Sequence, residues 1–176
     1  IGRLHIQGFP TSNHYGATGD GLCLSYRMGA KLAHIDTFQY HPSGAVYPEQ
    51  LIGALVTEGI RSEGGHLVNA QGERFVNELD TRDIVSSSII RECGEGRGIR
   101  TMSGRVGVWL DTPLLDAEHG PGTVEKHFPA MMMQFERFGI DISKDPVLIY
   151  PTLHYQNGGV KIDTNAETNV KNLFVA

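Results

Sequence analysis

The sequence is poor in cysteine, has no long apolar run and carries no excess of positive charge, and each lack removes a class of function. Cys23 and Cys93 stand far apart, with no CxxC motif and no regular Cys/His spacing. This excludes a structural zinc site and a disulfide scaffold, and both cysteines are expected as small buried side chains in a reducing compartment. No apolar stretch approaches the ~18 residues of a membrane-spanning helix, and Ile1 to Pro10 lack a signal peptide's basic start and apolar centre. The expectation is a soluble chain without direct membrane insertion. Twenty acidic residues outnumber fifteen basic ones, for a formal net charge of -5. The basic residues are scattered, so no stripe is ready to neutralise a phosphate backbone and no nucleic-acid partner is expected.

Familiar catalytic motifs are missing too. Gly16, Gly19 and Gly21 are spaced GxxGxG, not the GxGxxG of a dinucleotide cradle. There is no GxSxG elbow, no Walker loop and no HExxH, and no metal site is expected. What is abundant is glycine, with 22 in 176 residues, often in clusters such as Gly64-Gly65 and Gly158-Gly159. Clustered glycine marks tight turns or backbone brought close to another group. Hydrophobic residues at 40% and charged residues at 20% fit an ordinary globular chain with a real core.

Apolar spacing predicts a helix entered at Asp20 with Leu22, Cys23, Tyr26 and Ala30 on one stripe. A strand over Ile35 to Tyr40 is expected to end at His41-Pro42-Ser43-Gly44. His66 to Phe75 reads as a hairpin turning through Asn69-Ala70-Gln71-Gly72. Thr81 is placed to cap a helix running to about Glu92, with Arg82 and Asp83 in its first turn. Val106 to Leu110 reads as a strand. Val124 to Phe138 reads as the clearest helix, its Met131-Met132-Met133 run filling a core. After Pro146 the chain is expected to be extended, with strand-like pieces at Gly159 to Asp163 and Leu173 to Ala176. With Ile1 at one end and Leu-Phe-Val-Ala at the other, the chain reads as a piece of a longer polypeptide.

A polar set lies at turns and helix starts: His41, Thr57, Glu58, Arg61, Arg82 and His154. Taken singly, each has an ordinary explanation. A histidine before proline is commonly a turn residue, His154 is as readily a packed histidine as a ligand, and Arg82 beside Asp83 reads as a helix-start salt bridge. Yet a cation at a helix N-terminus opposes the dipole and wants an anion nearby. The Gly158-Gly159 pair near His154 also suggests close approach of a flat ligand. Together, two histidines, a threonine hydroxyl and two arginines suit a dicarboxylate, because guanidinium forks match carboxylate geometry. Such a clamp polarises an adjacent double bond.

Four strings, TGDGLCLSYRMGAKL, FQYHPSG, LVTEGIRSEGGHLVNAQGERFVNELDTRDIV and PTLHYQNGGVKID, occur in this order. They resemble the flavoprotein subunit of succinate dehydrogenase and fumarate reductase and its relatives. The likeness spans most of the chain and is thinnest over Ile99 to Asp145. It implies an α+β fold: a capping, substrate-binding domain over residues 41–150, flanked by partial segments of the FAD-binding α/β domain at 1–40 and 151–176.

The resemblance also implies roles. His41, Thr57 and His154 would bind substrate carboxylates, Arg82 would transfer the proton, and Glu58 and Arg61 would form a relay to it. Asp20, with Gly158 and Gly159, would contact FAD, a cofactor bound mainly by parts of the parent protein outside this chain. The implied reaction interconverts fumarate and succinate by hydride transfer at the flavin. The 176-residue chain alone is expected to be inactive. An L-aspartate oxidase-like flavoenzyme shares several landmarks and is the rival enzyme reading. A non-catalytic domain docking an iron-sulfur subunit is the rival from another class. The short path from GERF to TRD resembles soluble fumarate reductases, whereas VWLDTPLL and FGIDISKDP look more like the respiratory subunits. The implied partners are a small dicarboxylate and an iron-sulfur subunit. The implied location is cytoplasmic, peripheral on the inner face of the cell membrane through partner subunits. Proline and glycine near Tyr40 to Gly44 and Tyr150 to Asn157 further suggest two connections on which a cap swings.

Overall fold

Short elements punctuated by glycine and proline build the protein. In the computed structural model, which describes residues 8–14 and 16–176, the order begins α1 (Asp20–Arg27), β1 (Leu32–Ala33), β2 (Phe38–Ala45), a 3₁₀ turn (Glu49–Leu51), α2 (Gly59–Ser62), β3 (His66–Val68) and α3 (Arg82–Gly94). It continues β4 (Ile99–Arg100), β5 (Val106–Asp111), α4 (Pro113–His119), α5 (Thr123–His127), α6 (Pro129–Glu136), β6 (Val147–Gln156) and β7 (Gly159–Val160). The chain divides into two units, Ile1–Tyr40 with Leu153–Ala176, and His41–Thr152.

The 41–152 unit is organised by a sheet of order β2-β6-β5-β3, with β4 also pairing β5. Leu67 lies opposite Leu110 and Val108 opposite Ile149 in antiparallel register. Their buried side chains meet Val85 and Ile89, one turn apart on α3, and Leu115, Val124, Phe135 and Ile142 from the helical segment beyond β5. Spacing of four residues puts Val85 and Ile89 on one helix face. Fully burying side chains of this size stabilises by about 1.5–3 kcal/mol each.

The hairpin at Asn69–Gly72 forms as its sequence predicts. Gly72 takes φ +80°, and the Asn69 Oδ1 accepts the Gln71 and Glu73 N–H groups at 2.9 Å each. Val106 to Leu110 falls within β5, and α3 begins one residue after Thr81. The Thr81 side chain makes no cap bond; it bonds the Asp83 side chain and helps hold that carboxyl below its ordinary value.

Three expectations are overturned. His41-Pro42-Ser43-Gly44 does not end a strand; β2 runs straight through it. Residues just beyond the missing Pro42 donor carry the pairing: Val56 N–H donates to Ser43 O, Ala45 N–H to Ala54 O, and Val46 N–H to Leu148 O, all at 2.9 Å. Gly44 is needed for packing here, because a Cβ would lie 2.6 Å from the Thr152 Cβ. The predicted helix over Val124 to Phe138 is two helices, α5 and α6, separated by Phe128 at φ -126°, ψ 47°. Pro129 removes a donor and bars the residue before it from the helical region. Only Met132 of the methionine run is buried, while Met133 is exposed. Lastly, Cys23 is exposed, as is Tyr26 on the same predicted stripe of α1. Cys93 is partly buried, and burial pushes its thiol up to about 11.

In the other unit, β1 and β7 pair antiparallel, with Leu32 opposite Val160 and Ala33 opposite Gly159. Thr11 bridges Leu153, and the rings of Phe9 and Tyr40 meet edge-on with centroids 4.9 Å apart. Ala30 and Leu153 are buried, whereas Leu24, Tyr26 and Met28 on and beside α1 are exposed. The strand-like piece expected at Leu173 to Ala176 is reduced to one bridge, Glu167 to Phe174. Among the described residues, no helix is long and apolar enough to cross a membrane.

Candidate functional site

A buried polar arrangement of the 41–152 unit is centred on Arg61. One turn of helix, α2, follows Val-Thr-Glu, so Glu58 and Arg61 fall three residues apart on one face. The Arg61 Nη2 donates to Glu58 Oε1 at 2.7 Å, its Nε to Ser43 Oγ at 3.2 Å, and its Nη1 to the Glu78 carbonyl. Arg61 is 2% exposed. A guanidinium at that depth is tolerable only when its donors are occupied, and here each of its three nitrogens has a partner.

The other oxygen of Glu58 reaches a different element. Arg82, the first residue of α3, donates from Nη2 to Glu58 Oε2 at 2.7 Å. One carboxylate therefore bridges two guanidinium groups that are 21 positions apart in sequence, and it supplies the anion that a cation at a helix start requires. The bond from Arg82, with its charge and that of Arg61, holds the Glu58 carboxyl down at about 2 against the opposing effect of burial. Glu58 is thus ionised throughout the neutral range.

Glu78 is itself anchored. It is 3% exposed, and its carboxylate accepts the Leu67 N–H at 2.7 Å and the Arg74 Nε–H at 3.0 Å. The carbonyl that holds Arg61 is thereby tied to the middle of β3. His41 lies on β2 two residues before Ser43, and its Nδ1 accepts the Ser43 N–H at 3.1 Å. With Nδ1 as acceptor, the neutral ring carries its proton on Nε2. The Thr57 Oγ1 accepts the Gly59 N–H at 3.3 Å. Gly59 lets Phe128 close against this turn, since a Cβ there would stand 3.0 Å from the Phe128 ring.

Four of the candidates, Glu58, Arg61, Arg82 and Thr57, lie on or beside α2 and the start of α3, and Ser43 links His41 to them. His154, Asp20, Gly158 and Gly159 belong to the other unit. There the His154 Nδ1 and Ser12 Oγ are 2.8 Å apart, and the Asn13 amide donates to the His154 carbonyl at 2.6 Å. Asp20 is the exposed first residue of α1, entered through Gly19 in the left-handed conformation. A Cβ on Gly158 would lie 1.8 Å from the His34 carbonyl oxygen, so the close approach at this glycine is made by the protein's own backbone. Nothing lies within 4 Å of a Cβ built on Gly159.

The FAD binding domain family matches residues 2–176 of this sequence. The chain belongs to that family. It is 44% identical over 172 residues to a fumarate reductase (CoM/CoB) subunit of Methanothermobacter marburgensis, covering 94% of this chain and 30% of that protein. It is 37% identical to the succinate dehydrogenase flavoprotein subunit of Coxiella burnetii, over 89% of this chain and 26% of that one. It is also 36% identical to an L-aspartate oxidase of Acinetobacter baylyi, over 93% of this chain and 29% of the relative. Among solved structures, an E. coli quinol fumarate reductase superposes with a TM-score of 0.81 at 32% identity, covering 93% of this chain and 30% of that one. The chain thus spans about 30% of the length of these relatives. The family is one of flavoprotein oxidoreductases, its cofactor is FAD, and the mixed helix and strand architecture is that of the fumarate reductase flavoprotein.

The residues of this family member fit a partial share of FAD. An exposed carboxylate at the start of a glycine-entered helix suits ribose hydroxyls, and first-turn amides, which have no intrahelical acceptors, suit phosphate. Ser43 and Glu78 were not marked by sequence reasoning. Reading β2 as continuous would have placed His41 and Ser43 on one face, two residues apart. Glu78 carries no comparable signal, because its task depends on an N–H of β3.

Proposed function

We propose that the 41–152 unit is the substrate-capping part of a fumarate reductase or succinate dehydrogenase type flavoprotein, flanked by pieces of its FAD-binding domain. In this reading Arg82 is the proton donor and acceptor. The observation that carries it is the single carboxylate of Glu58 bonded to both Arg61 and Arg82. When bound, FAD supplies the hydride chemistry, with Asp20 and Gly159 among the residues that would hold it. The chain's own residues bind the dianion and move the proton.

His41, through Nε2–H, and Thr57 bind the carboxylates of fumarate, which withdraw electron density from the double bond. As one alkene carbon gains hydride, the charge developing at the other is quenched by a proton from the Arg82 guanidinium, giving succinate; oxidation runs the same path backwards. An arginine is ordinarily only a donor, with a pKa above about 12, so the proton it loses must be restored at once. Glu58 is placed to do this. While Arg82 is charged, Glu58 stays ionised; once Arg82 is neutral, the chief force depressing the Glu58 pKa is gone, and the carboxylate, which is 38% exposed, can take a proton from water and pass it to Arg82. Arg61 keeps its charge and orients Glu58 throughout.

In the complete protein, Arg82→Gln and Glu58→Gln are expected to reduce fumarate turnover by about 10²–10⁴-fold, the usual contribution of a positioned acid and its partner. Arg82→Lys tests geometry, since a lysine presents a point charge and no fork. Turnover of any of these variants at the parent rate would mean that the ion pairs only support the fold. Identity to L-aspartate oxidases is close to that shared with the succinate dehydrogenase subunits. Fumarate, succinate and aspartate are therefore assayed side by side. Oxidation of aspartate by oxygen, without succinate turnover, would assign the same site to the amino acid.

A further inference from the structure

We infer that Ser43 is a positioning residue that couples the substrate-binding imidazole of the reading above to its proton relay. All three polar groups of this fully buried residue are committed in three different directions. Its N–H donates to His41 Nδ1 at 3.1 Å, its hydroxyl accepts from Arg61 Nε at 3.2 Å, and its carbonyl accepts the Val56 N–H at 2.9 Å. Val56 immediately precedes Thr57 and Glu58, so one residue sets the His41 tautomer, the Arg61 orientation and the start of the segment bearing the bridging carboxylate.

The hydroxyl has the task that can be removed alone. Arg61 rotates about its terminal bonds unless Nε is held, and Nε is the only nitrogen held by a group of β2. With Nε fixed, Nη1 faces the Glu78 carbonyl and Nη2 faces Glu58. Loss of the hydroxyl leaves a buried donor unpaired and frees the fork to tilt, carrying Glu58 away from Arg82. The backbone N–H to His41 survives this change. Proton transfer should therefore suffer while substrate binding does not.

The test uses the complete flavin-loaded protein, with Ser43→Ala, Ser43→Thr and Arg82→Gln, after thermal melting establishes that each is folded. For Ser43→Ala we expect kcat for fumarate to fall by about tenfold or more, within the range that small misplacements of a catalytic group produce. KM should stay within about twofold, and the solvent deuterium isotope effect on kcat should rise as proton transfer becomes limiting. Ser43→Thr, which keeps the hydroxyl, should restore most of kcat. A folded Ser43→Ala protein with unchanged kcat and isotope effect, or one that loses KM and not kcat, would overturn the inference. Should Ser43→Ala not fold, Ser43→Thr decides: a folded threonine variant with parental kcat and isotope effect supports the role, and one with depressed kcat refutes it. If Arg82→Gln retains turnover, the functional reading itself fails. If Arg82→Gln is inactive and Ser43→Ala is not impaired, only the role of Ser43 fails.

Discussion

Within residues 41–152, Ile60, Leu67, Ile89, Leu110, Phe135 and Ile149 are fully or almost fully buried, with partners drawn from the sheet on one side and helices on the other. In the unit formed by the two ends, Leu24, Tyr26, Met28, Tyr155 and Phe174 are all more than half exposed. The contrast follows from layers. A sheet with helices against it can enclose side chains, whereas a two-turn helix and a sheet of two-residue strands cannot. The proposed relay is built in the unit that has a core, and its geometry is only as firm as β2, α2 and the start of α3.

Four measurements probe that contrast, all on unfolding of the complete protein. Phe135→Ala removes a fully buried ring from the 41–152 core and should cost about 3–5 kcal/mol. A cost near zero would mean that this core is not what holds the unit together. Gly44→Ala is the next largest: its new methyl would meet the Thr152 Cβ at 2.6 Å and the Tyr150 carbonyl oxygen at 2.8 Å. Overpacking of this kind costs about 1–3 kcal/mol, and an unaffected melting curve would show that β2 and β6 can part there freely.

Acid titration sharpens the comparison at the relay. The Glu58 carboxyl is held at about 2, below its ordinary 4.5, so its contribution is fully present above pH 4.5 and is lost as the pH falls toward 2. Because its side chain is 38% exposed, solvent screening limits the effect to at most about 1 kcal/mol. Unfolding free energies of the parent and Glu58→Gln, compared at pH 5 and pH 3, should converge as the pH is lowered; parallel curves would show that the ion pairs add nothing to stability. Leu24→Ala should be the smallest, within about 0.5 kcal/mol, since the side chain is 61% exposed. A cost of several kcal/mol would show that α1 is packed against chain in the complete protein.

Sequence alone revealed what depends on local chemistry. The turn at Asn69–Gly72 follows from side-chain bonding, and α3 after Thr81 and the strand at Val106 follow from apolar spacing. It misread places where distant contacts override a local rule. Pro42 and Gly44 look like strand breakers, yet bonds from 53–56 and Leu148 keep β2 extended. Conversely, apolar spacing across Val124 to Phe138 concealed the break that Pro129 imposes at Phe128. The Glu58 and Arg61 pair is readable at three-residue spacing, but the approach of Arg82 is not a matter of period and entered only through family resemblance. Ser43 was hidden by the same error that ended β2 too soon.

The segment 53–56 that runs along β2 has a consequence for solubility. Exposed strand edges recruit strands from other molecules. At Ser43 and Ala45 that edge is already bonded to the protein's own chain, and at the opposite end of the sheet the three-residue β3 is bridged by Arg74. The Ser43–Ala45 end of β2 is thus closed to a further strand and β3 is only three residues long, which disfavours strand exchange at both places.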